Sequence, residues 1–285
     1  MAGIEAFFDN ATSTVSYLLW DPPTRKAAII DAVLDYDPAT GRLGSASADA
    51  ILARAAELGL TVDWALETHA HADHLSAADH IRRETGARIG IGARITEVQT
   101  RFRALFNAPQ AETEADVFDA LLDDGAVVDL GETRIRVMHT PGHTPACVTY
   151  VVNDAAFVGD TMFMPDYGTA RADFPGGDAA TLYRSIRRIL DLPPETRIFV
   201  GHDYLPTGRD QPAWETTVAA ERASNVHVRD GVTEEAFVKL RTARDKTLAA
   251  PKLILPSLQV NIRGGALPKA EENGRVYLKT PVNVL

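Results

Sequence analysis

Apolar residues recur along the chain with two different periods, and these periods alternate through its first third. Two short apolar runs, 14–20 and 26–33, predict strands joined by a proline-containing turn. Residues 47–60 instead carry apolar side chains at helical spacing, which predicts an amphipathic helix. A strand over 62–69, a loop entering a helix, and a strand over 88–92 continue the alternation of β and α elements.

The pattern changes after residue 93. Residues 94–122 are charged and predict mainly helix, and the close spacing of the next apolar runs predicts an antiparallel sheet. The remaining predicted elements are four strands within 127–160, an amphipathic helix over 178–192, a strand over 196–202, and a helical and irregular tail from 212 to 285. We therefore predict an α+β fold in which two packed sheets lie between helical layers. Residues 1–210 would form the catalytic domain, and 211–285 a small appendage packed on it.

Composition narrows the classes of function. With a formal net charge of −10, the chain lacks the excess of Lys and Arg that favours binding to nucleic acids and anionic membranes. Cys147 is the only cysteine, which excludes an internal disulfide and favours a reducing compartment. The N-terminal segment does not resemble a secretory signal, and no apolar run approaches the ~20 residues that span a bilayer. A cytoplasmic protein is therefore expected.

Histidine and aspartate side chains follow several of the predicted strands. The segment THAHADH (68–74) places four of them within six positions, and three more follow later strands. The seven residues are His69, His71, Asp73, His74, His143, Asp160 and His202. Taken alone, His202 is typical of a surface residue and Asp160 of a turn, and we expect His80 and His227 to be solvent-exposed. The density of residues 69–74, however, predicts a metal site, because such a cluster is poorly satisfied without a cation.

In this order along the chain, THAHADH, GHTPA (142–146), GD (159–160) and GHD (201–203) resemble the ligand series of the metallo-β-lactamase fold. The resemblance covers about residues 10–205. It implies a four-layer αββα sandwich with the metal site at one edge of its two sheets.

Within that fold, the flanking stretches resemble the persulfide dioxygenases, also called sulfur dioxygenases. The stretches GHTPACVTY, ARADF and LYRS, and the tail sequence NIRGG (261–265), carry this second resemblance. Two departures are visible. The Cys-Gly-Arg-Thr-Asp of that family is Thr169-Ala170-Arg171-Ala172-Asp173 here, and the long 94–122 stretch suggests a bacterial subgroup.

The resemblance implies one Fe(II) per chain, held by His69, His143 and Asp160 as catalytic residues. It leaves His71, Asp73, His74 and His202 either as supporting groups or as ligands of a second metal, as in dinuclear hydrolases of the same fold. Arg171, Tyr204 and Arg263 are expected to contact glutathione, because arginine grips carboxylates through a bidentate fork. The alternative for these arginines is a structural ion pair, such as Arg171 with Asp173. Cys147 is either a sulfur carrier or an inert buried thiol.

The expected activity is the oxidation of glutathione persulfide by O2 to sulfite and glutathione. A glyoxalase II-like hydrolase of acylglutathione thioesters with a dinuclear metal site is the main alternative. A metal or persulfide sensor without turnover is a third possibility. A nuclease is disfavoured by the acidic charge. We expect a homodimer that binds neither nucleic acid nor membrane.

Overall fold

Two six-stranded sheets form the centre of the molecule, in a computed structural model that describes residues 1–283. The first sheet consists of β1 (Gly3–Asp9), β2 (Thr14–Trp20), β3 (Lys26–Ile30), β6 (Thr61–Glu67), β8 (Arg88–Gly92) and β9 (Ala120–Leu122). The second consists of β10 (Val127–Leu130), β11 (Thr133–His139), β12 (Val148–Val152), β13 (Ala155–Gly159), β14 (Arg197–Val200) and β15 (Glu215–Thr217). A small third sheet contains β4 (Val33–Asp37), β5 (Arg42–Gly44) and β7 (Leu75–Ser76).

Helices and single turns of 3₁₀ helix connect these strands. The helices are α1 (Ala46–Glu57), α2 (Ala78–Thr85), α3 (Ile95–Phe106), α4 (Ala179–Leu190), α5 (Val218–Ser224), α6 (Glu234–Asp245) and α7 (Ile254–Asn261). Two 3₁₀ turns, Gln110–Glu112 and Ala115–Val117, follow α3.

Strand direction follows the length of each connection. In the first sheet β1, β2 and β3 pair antiparallel, whereas β3, β6, β8 and β9 pair parallel. The second sheet is antiparallel except for the parallel pair β13 and β14. That exception is expected because α4 lies between these two strands, and parallel neighbours need such a crossover.

Alternation along β2 shows how the layers are built. Tyr17 and Leu19 pack into the apolar layer between the sheets, whereas Leu18 faces the helices on the outer side. This follows from the two-residue period of side chains in a strand. Within the inner layer the ring of Tyr17 meets those of Phe157 and Phe199 at centroid distances of 5.1 and 5.5 Å.

Each sheet buries its outer face against its own set of helices. Apolar residues of α1, α2 and α3 pack on the first sheet, and those of α4 and α6 pack on the second. The layer order is therefore helix, sheet, sheet, helix. This confirms the αββα sandwich expected from the sequence.

The chain after residue 210 is joined to this sandwich at both sheets. Strand β15 pairs with β14 at the edge of the second sheet, and α7 packs on β7 near the first. These contacts extend the sheet across the predicted boundary at 210/211. The boundary itself remains a prediction.

Two further differences from the sequence-based expectation involve packing between distant segments. The 94–122 stretch is helical only at its start, and its last residues form β9, which extends the first sheet beside β8. His227 was expected to be solvent-exposed and is buried, because Gly168 packs against its ring and Thr169 N donates to its Nδ1. Within residues 1–283, none of the helices combines the length and apolar character required to cross a bilayer.

Candidate metal centre

The seven histidine and aspartate residues predicted to converge lie at one edge of the two sheets. The segment 69–74 directly follows β6, Asp160 directly follows β13, and His202 lies just beyond β14. His143 comes from the loop between β11 and β12. Hydrogen bonds between the sheets hold this edge together, from Val15 N to the Gly201 carbonyl at 2.8 Å and from Val148 N to the Thr68 carbonyl at 2.9 Å.

The first group of ligand atoms belongs to His69, His143 and Asp160. Their ligand atoms all lie within 4.8 Å of one another, and all three side chains are buried. Asp160 Oδ2 is 3.9 Å from His69 Nε2 and 3.8 Å from His143 Nε2. Metal–ligand bonds of roughly 2.0–2.2 Å place the ligands of one ion up to about 4.4 Å apart. The three atoms are thus spaced to share one ion.

Hydrogen bonds at the far side of each ring select the nitrogen that faces this group. His143 Nδ1 donates to the Arg171 carbonyl at 2.8 Å, because a carbonyl oxygen can only accept. His69 Nδ1 lies 3.1 Å from Thr68 Oγ1, whose own proton goes to Asp31 Oδ2 at 2.7 Å. Both Nε2 atoms therefore carry the lone pair that a metal needs.

The surroundings of His69 also favour its neutral form. Burial, reinforced by the charges of His71 and His143, lowers the pKa of His69 well below its usual value. A neutral imidazole is the form that binds a metal ion.

A second group, next to the first, contains His71, Asp73 and His74. Their ligand atoms also lie within 4.8 Å of one another. His71 Nε2 is held by Asp31 Oδ1 at 3.0 Å, which leaves Nδ1 directed toward this group. Burial lowers the pKa of His71, but the carboxylates of Asp31 and Glu67 more than offset burial and keep the pKa well above its usual value.

His202 lies between the two groups. Its Nδ1 is 2.7 Å from Asp160 Oδ1, and its Nε2 is 2.5 Å from Asp73 Oδ2 and 3.0 Å from Thr14 Oγ1. Burial lowers the pKa of His202, but Asp160 and Asp73 outweigh it and raise the pKa to about 10. A protonated His202 therefore acts as an internal cation between two carboxylates.

Unpartnered buried nitrogens show that these residues fit a metal ion. His69 Nε2, His71 Nδ1 and His74 Nε2 are buried without a hydrogen-bond partner. Leaving such atoms unpaired costs roughly 1–3 kcal/mol each, which a bound cation relieves. Imidazole nitrogens and carboxylate oxygens suit Fe(II) as well as Zn(II).

Two supporting residues were missed by the sequence analysis. Asp31 accepts from His71, from Thr68 N at 2.7 Å and from Thr68 Oγ1, so it fixes both ends of the segment that begins the metal motif. Asn261 in α7 donates to the carbonyls of His71 and His74, each at 2.8 Å. Asp31 directly follows β3, which ends at Ile30, but the strand predicted over 26–33 included Asp31 and so concealed its place at a strand end. No local signal marks Asn261.

The three residues predicted to contact glutathione each have different partners in the structure. Tyr204 stacks on the His202 ring at 5.4 Å and an interplanar angle of 3°. The Arg171 guanidinium pairs with Asp173 at 2.5 Å, which is the ion pair considered above as the structural alternative.

Arg263 is buried among other partners. It pairs with Glu112 at 3.2 Å and donates to the Gln259 carbonyl. In residues 1–283, no hydrogen bond or ion pair links its guanidinium to any of the seven site residues.

A cavity lies beside the candidate metal centre. A cavity of about 280 Å³ adjoins His74 and lies between the β1–β2 loop and the β4–β5 hairpin, with Tyr36 and Arg42 in its wall.

Burial raises the pKa of the Cys147 thiol to about 12. At that pKa the thiol is protonated at neutral pH, which favours the inert alternative for Cys147.

Residues 9–202 match the model of the metallo-beta-lactamase superfamily, which is more than half of the chain. The chain belongs to the metallo-β-lactamase superfamily. Several relatives are similar to this chain over their full length or over part of it. A probable metallo-hydrolase of Burkholderia pseudomallei is 56% identical, over 99% of both chains. A protein of Dictyostelium discoideum named Glyoxylase B2 is 46% identical, over 100% of this chain and 98% of its own. A beta-lactamase hydrolase-like protein of Xylella fastidiosa is 53% identical, and the chain spans 65% of its length.

Other superfamily members carry the name that the flanking motifs suggest. Human mitochondrial persulfide dioxygenase ETHE1 is 31% identical, over 92% of this chain and 88% of its own. The crystal structure of ETHE1 from Myxococcus xanthus superposes with a TM-score of 0.74 at 30% identity, over 93% of this chain and 100% of that one. The superfamily is thus established, and the resemblance to persulfide dioxygenases has support from both sequence and structure.

Proposed function

We propose that this protein is a glutathione persulfide dioxygenase that uses one Fe(II) per chain. The observation that carries the proposal is the spacing of His69, His143 and Asp160, whose ligand atoms lie within 4.8 Å of one another. Two imidazoles and one carboxylate with open positions form the ligand set of non-heme iron oxygenases. The similarity to ETHE1 in sequence and in structure adds to this support.

The proposed reaction converts glutathione persulfide, O2 and water to glutathione and sulfite. Both atoms of O2 and the oxygen of water end on the terminal sulfur, which gives four electrons to O2. The sulfur–sulfur bond breaks, one proton stays on the glutathione thiol, and the other two are released with sulfite. Bound Fe(II) would supply the redox chemistry that O2 requires. The role of the protein is to hold the three ligand side chains in place and to orient the two reactants.

Around the three ligands, other side chains would act by position. We place His71, Asp73, His74 and His202 as groups that orient ligands and water. Replacing residues in such positions commonly lowers metal affinity or activity by ~10–100-fold. The pairing of His202 with Asp160 supports this role, because it fixes the carboxylate whose other oxygen faces His69 and His143.

Arg171, Tyr204 and Arg263 are the proposed contacts of glutathione. Arg171→Ala should raise KM for glutathione persulfide more than it lowers kcat, because a carboxylate contact far from the reacting sulfur binds ground and transition states alike. Arg263→Ala should do the same if the substrate displaces its pairing with Glu112. Steady-state kinetics measures both variants. An unchanged KM would assign the arginine to the ion pair seen in the structure.

A second candidate is a glyoxalase II-like thioester hydrolase. The unpartnered nitrogens of His71 and His74, close to the Asp73 carboxylate, favour it because together they offer ligands for a second ion. The names of the Burkholderia and Dictyostelium relatives point the same way. A metal-activated water would then attack the thioester carbonyl.

One pair of assays separates the two candidates. O2 uptake with fresh glutathione persulfide is measured beside hydrolysis of an acylglutathione, on the iron-loaded and the zinc-loaded protein. We expect O2 uptake with sulfite formation from the iron form only, since zinc does not change oxidation state, and negligible hydrolysis from either form. His69→Ala should lose iron and activity, whereas His80→Ala should lose neither. His80 was expected to be solvent-exposed, but its side chain is mostly covered and pairs with Asp49 at 2.7 Å, not with any of the seven site residues. Rapid thioester cleavage by a protein that is inert toward O2 would favour the hydrolase.

A further inference from the structure

One backbone carbonyl controls which nitrogen of His143 faces the metal centre. The Arg171 carbonyl accepts the proton of His143 Nδ1 at 2.8 Å, and Nε2 then faces Asp160 Oδ2 at 3.8 Å. Arg171 lies in the segment 168–172, which belongs to neither a helix nor a strand. The position of this carbonyl must therefore be fixed by groups outside regular secondary structure.

Two side chains of α6 hold this segment on either side of Arg171. Arg241 Nη1 donates to the Thr169 carbonyl at 3.0 Å. Asp245 Oδ2 accepts from Ala172 N at 2.9 Å. Ala172 N belongs to the same peptide group as the Arg171 carbonyl, and the Thr169 carbonyl lies two peptide groups earlier, so α6 determines where the Arg171 carbonyl points.

The start of the segment is held by the chain that precedes α6. Asn225 Nδ2 donates to the Gly168 carbonyl at 3.2 Å, and Thr169 N donates to His227 Nδ1 at 3.0 Å. A side chain at Gly168 would approach the His227 ring to 2.2 Å, so the Gly168 backbone meets this ring more closely than any other residue at 168 would allow. These contacts hold the start of the segment 168–172 in one position.

The Arg241–Asp245 pair is itself buried. The Arg241 side chain is 1% exposed and the Asp245 side chain 6%, with Arg241 Nε 2.8 Å and Nη2 2.6 Å from Asp245 Oδ1. Replacing a buried ion pair by apolar residues of similar size is often neutral for stability or even stabilising. Stability alone therefore does not account for this pair, whereas its two remaining hydrogen bonds both go to the segment 168–172.

We propose that Arg241 and Asp245 are positioning residues for His143. They fix the Arg171 carbonyl, which sets the tautomer and the direction of the His143 ring, and through it the affinity of the centre for metal. The inference depends on the proposed metal-binding role of His143. In general, groups that orient a metal-binding histidine in this way change metal affinity by about 10–100-fold when removed.

The test measures metal binding and the His143 tautomer in the full-length protein. The double variant Arg241→Met/Asp245→Leu removes both backbone anchors but keeps the buried volume. Metal-free protein is titrated with Co(II) alone, and long-range proton–nitrogen NMR reports which His143 nitrogen carries the proton. Glu234→Gln is the matched control, because Glu234 forms the exposed pair with Arg184 at the other end of α6.

We expect the folded double variant to bind Co(II) about 10–100-fold more weakly and to lose the single Nδ1–H tautomer of His143, while Glu234→Gln matches the wild type. A folded double variant with wild-type affinity and tautomer would overturn the proposal. If the double variant does not fold, Arg241→Lys carries the same expectation and the same contrary outcome, because one ammonium cannot reproduce the fork to Asp245 and Thr169. His143→Ala tests separately whether His143 binds the metal. If that variant keeps wild-type Co(II) affinity, the proposed role of His143 fails, and the proposed role of Arg241 and Asp245 fails with it.

Discussion

Asp31 connects two parts of the metal motif through a single carboxylate. One oxygen accepts from Thr68 N and from His71 Nε2, and the other accepts from Thr68 Oγ1, which in turn meets His69 Nδ1. Its backbone has φ of 51°, in a region that non-glycine residues seldom occupy. Such a conformation persists where the surroundings dictate it, and here the surroundings are two histidines of the centre.

Asp31→Asn should therefore weaken metal binding. An amide presents one acceptor and one donor, so at least one of the Thr68 and His71 donors would face an NH2 group. We expect the Kd for Co(II) to rise by about 10–100-fold, measured by competition with a chelator.

The matched control is Asp21→Asn. Asp21 is equally buried and accepts from Thr24 and Thr133, but it touches none of the site residues. Loss of stability in both variants, with no loss of metal affinity in Asp31→Asn, would show that Asp31 serves the fold and not the centre.

At the scale of elements, strand ends determine where the chemistry is. Gly159 ends β13 with φ of 51°, and a side chain there would approach Thr68 Oγ1 to 2.4 Å. At Gly201 a side chain would approach Asp160 Oδ1 to 2.8 Å. The glycines next to Asp160 and His202 thus allow the ends of the two sheets to come together at the centre.

This arrangement explains which parts of the site were predictable. His69, Asp160 and His202 each follow an apolar run, so the sequence alone indicates that they leave strands at one edge. Asn261 reaches His71 across 190 positions of the chain, and the burial of His227 depends on residues from other elements. Such contacts arise only when the whole chain packs, and no local pattern in the sequence marks them.

At the scale of the whole molecule, one buried acid lowers stability as the pH rises. Glu221 in α5 is fully buried, one of its carboxylate oxygens has no partner, and the other accepts from Asn225 Nδ2 at 2.6 Å. Burial raises the pKa of Glu221 from its usual 4.5 to about 8, with a smaller contribution from Asp166. Between these two pH values the unfolded chain loses a proton that the folded chain keeps, so unfolding becomes more favourable.

Glu221→Gln should remove this dependence. Below pH 4.5 the residue is protonated in both states and has no such effect, whereas above pH 8 it is ionised in both and the loss of stability is complete. At about 1.4 kcal/mol per pKa unit, the loss is on the order of 5 kcal/mol. Urea unfolding from pH 5 to pH 9 should show the free energy of unfolding of the variant rising relative to that of the wild type.

Glu234→Gln on α6 provides the comparison, because this exposed glutamate pairs with Arg184 at the surface. Its difference from the wild type should stay nearly constant over the same range. A constant difference for Glu221→Gln as well would mean that the buried carboxylate already carries its charge at pH 5.

The centre and its surroundings are supplied by different kinds of segment. Site residues such as Asp160 and His202 come from the ends of strands inside the two sheets, whereas the cavity beside His74 is walled by the β1–β2 loop and the β4–β5 hairpin. Loops tolerate insertion and exchange far better than buried strands do. A lineage built on this fold can therefore acquire a new substrate by altering its loops while inheriting the metal chemistry intact, and a designer who wishes to retarget the enzyme can begin with the same two segments.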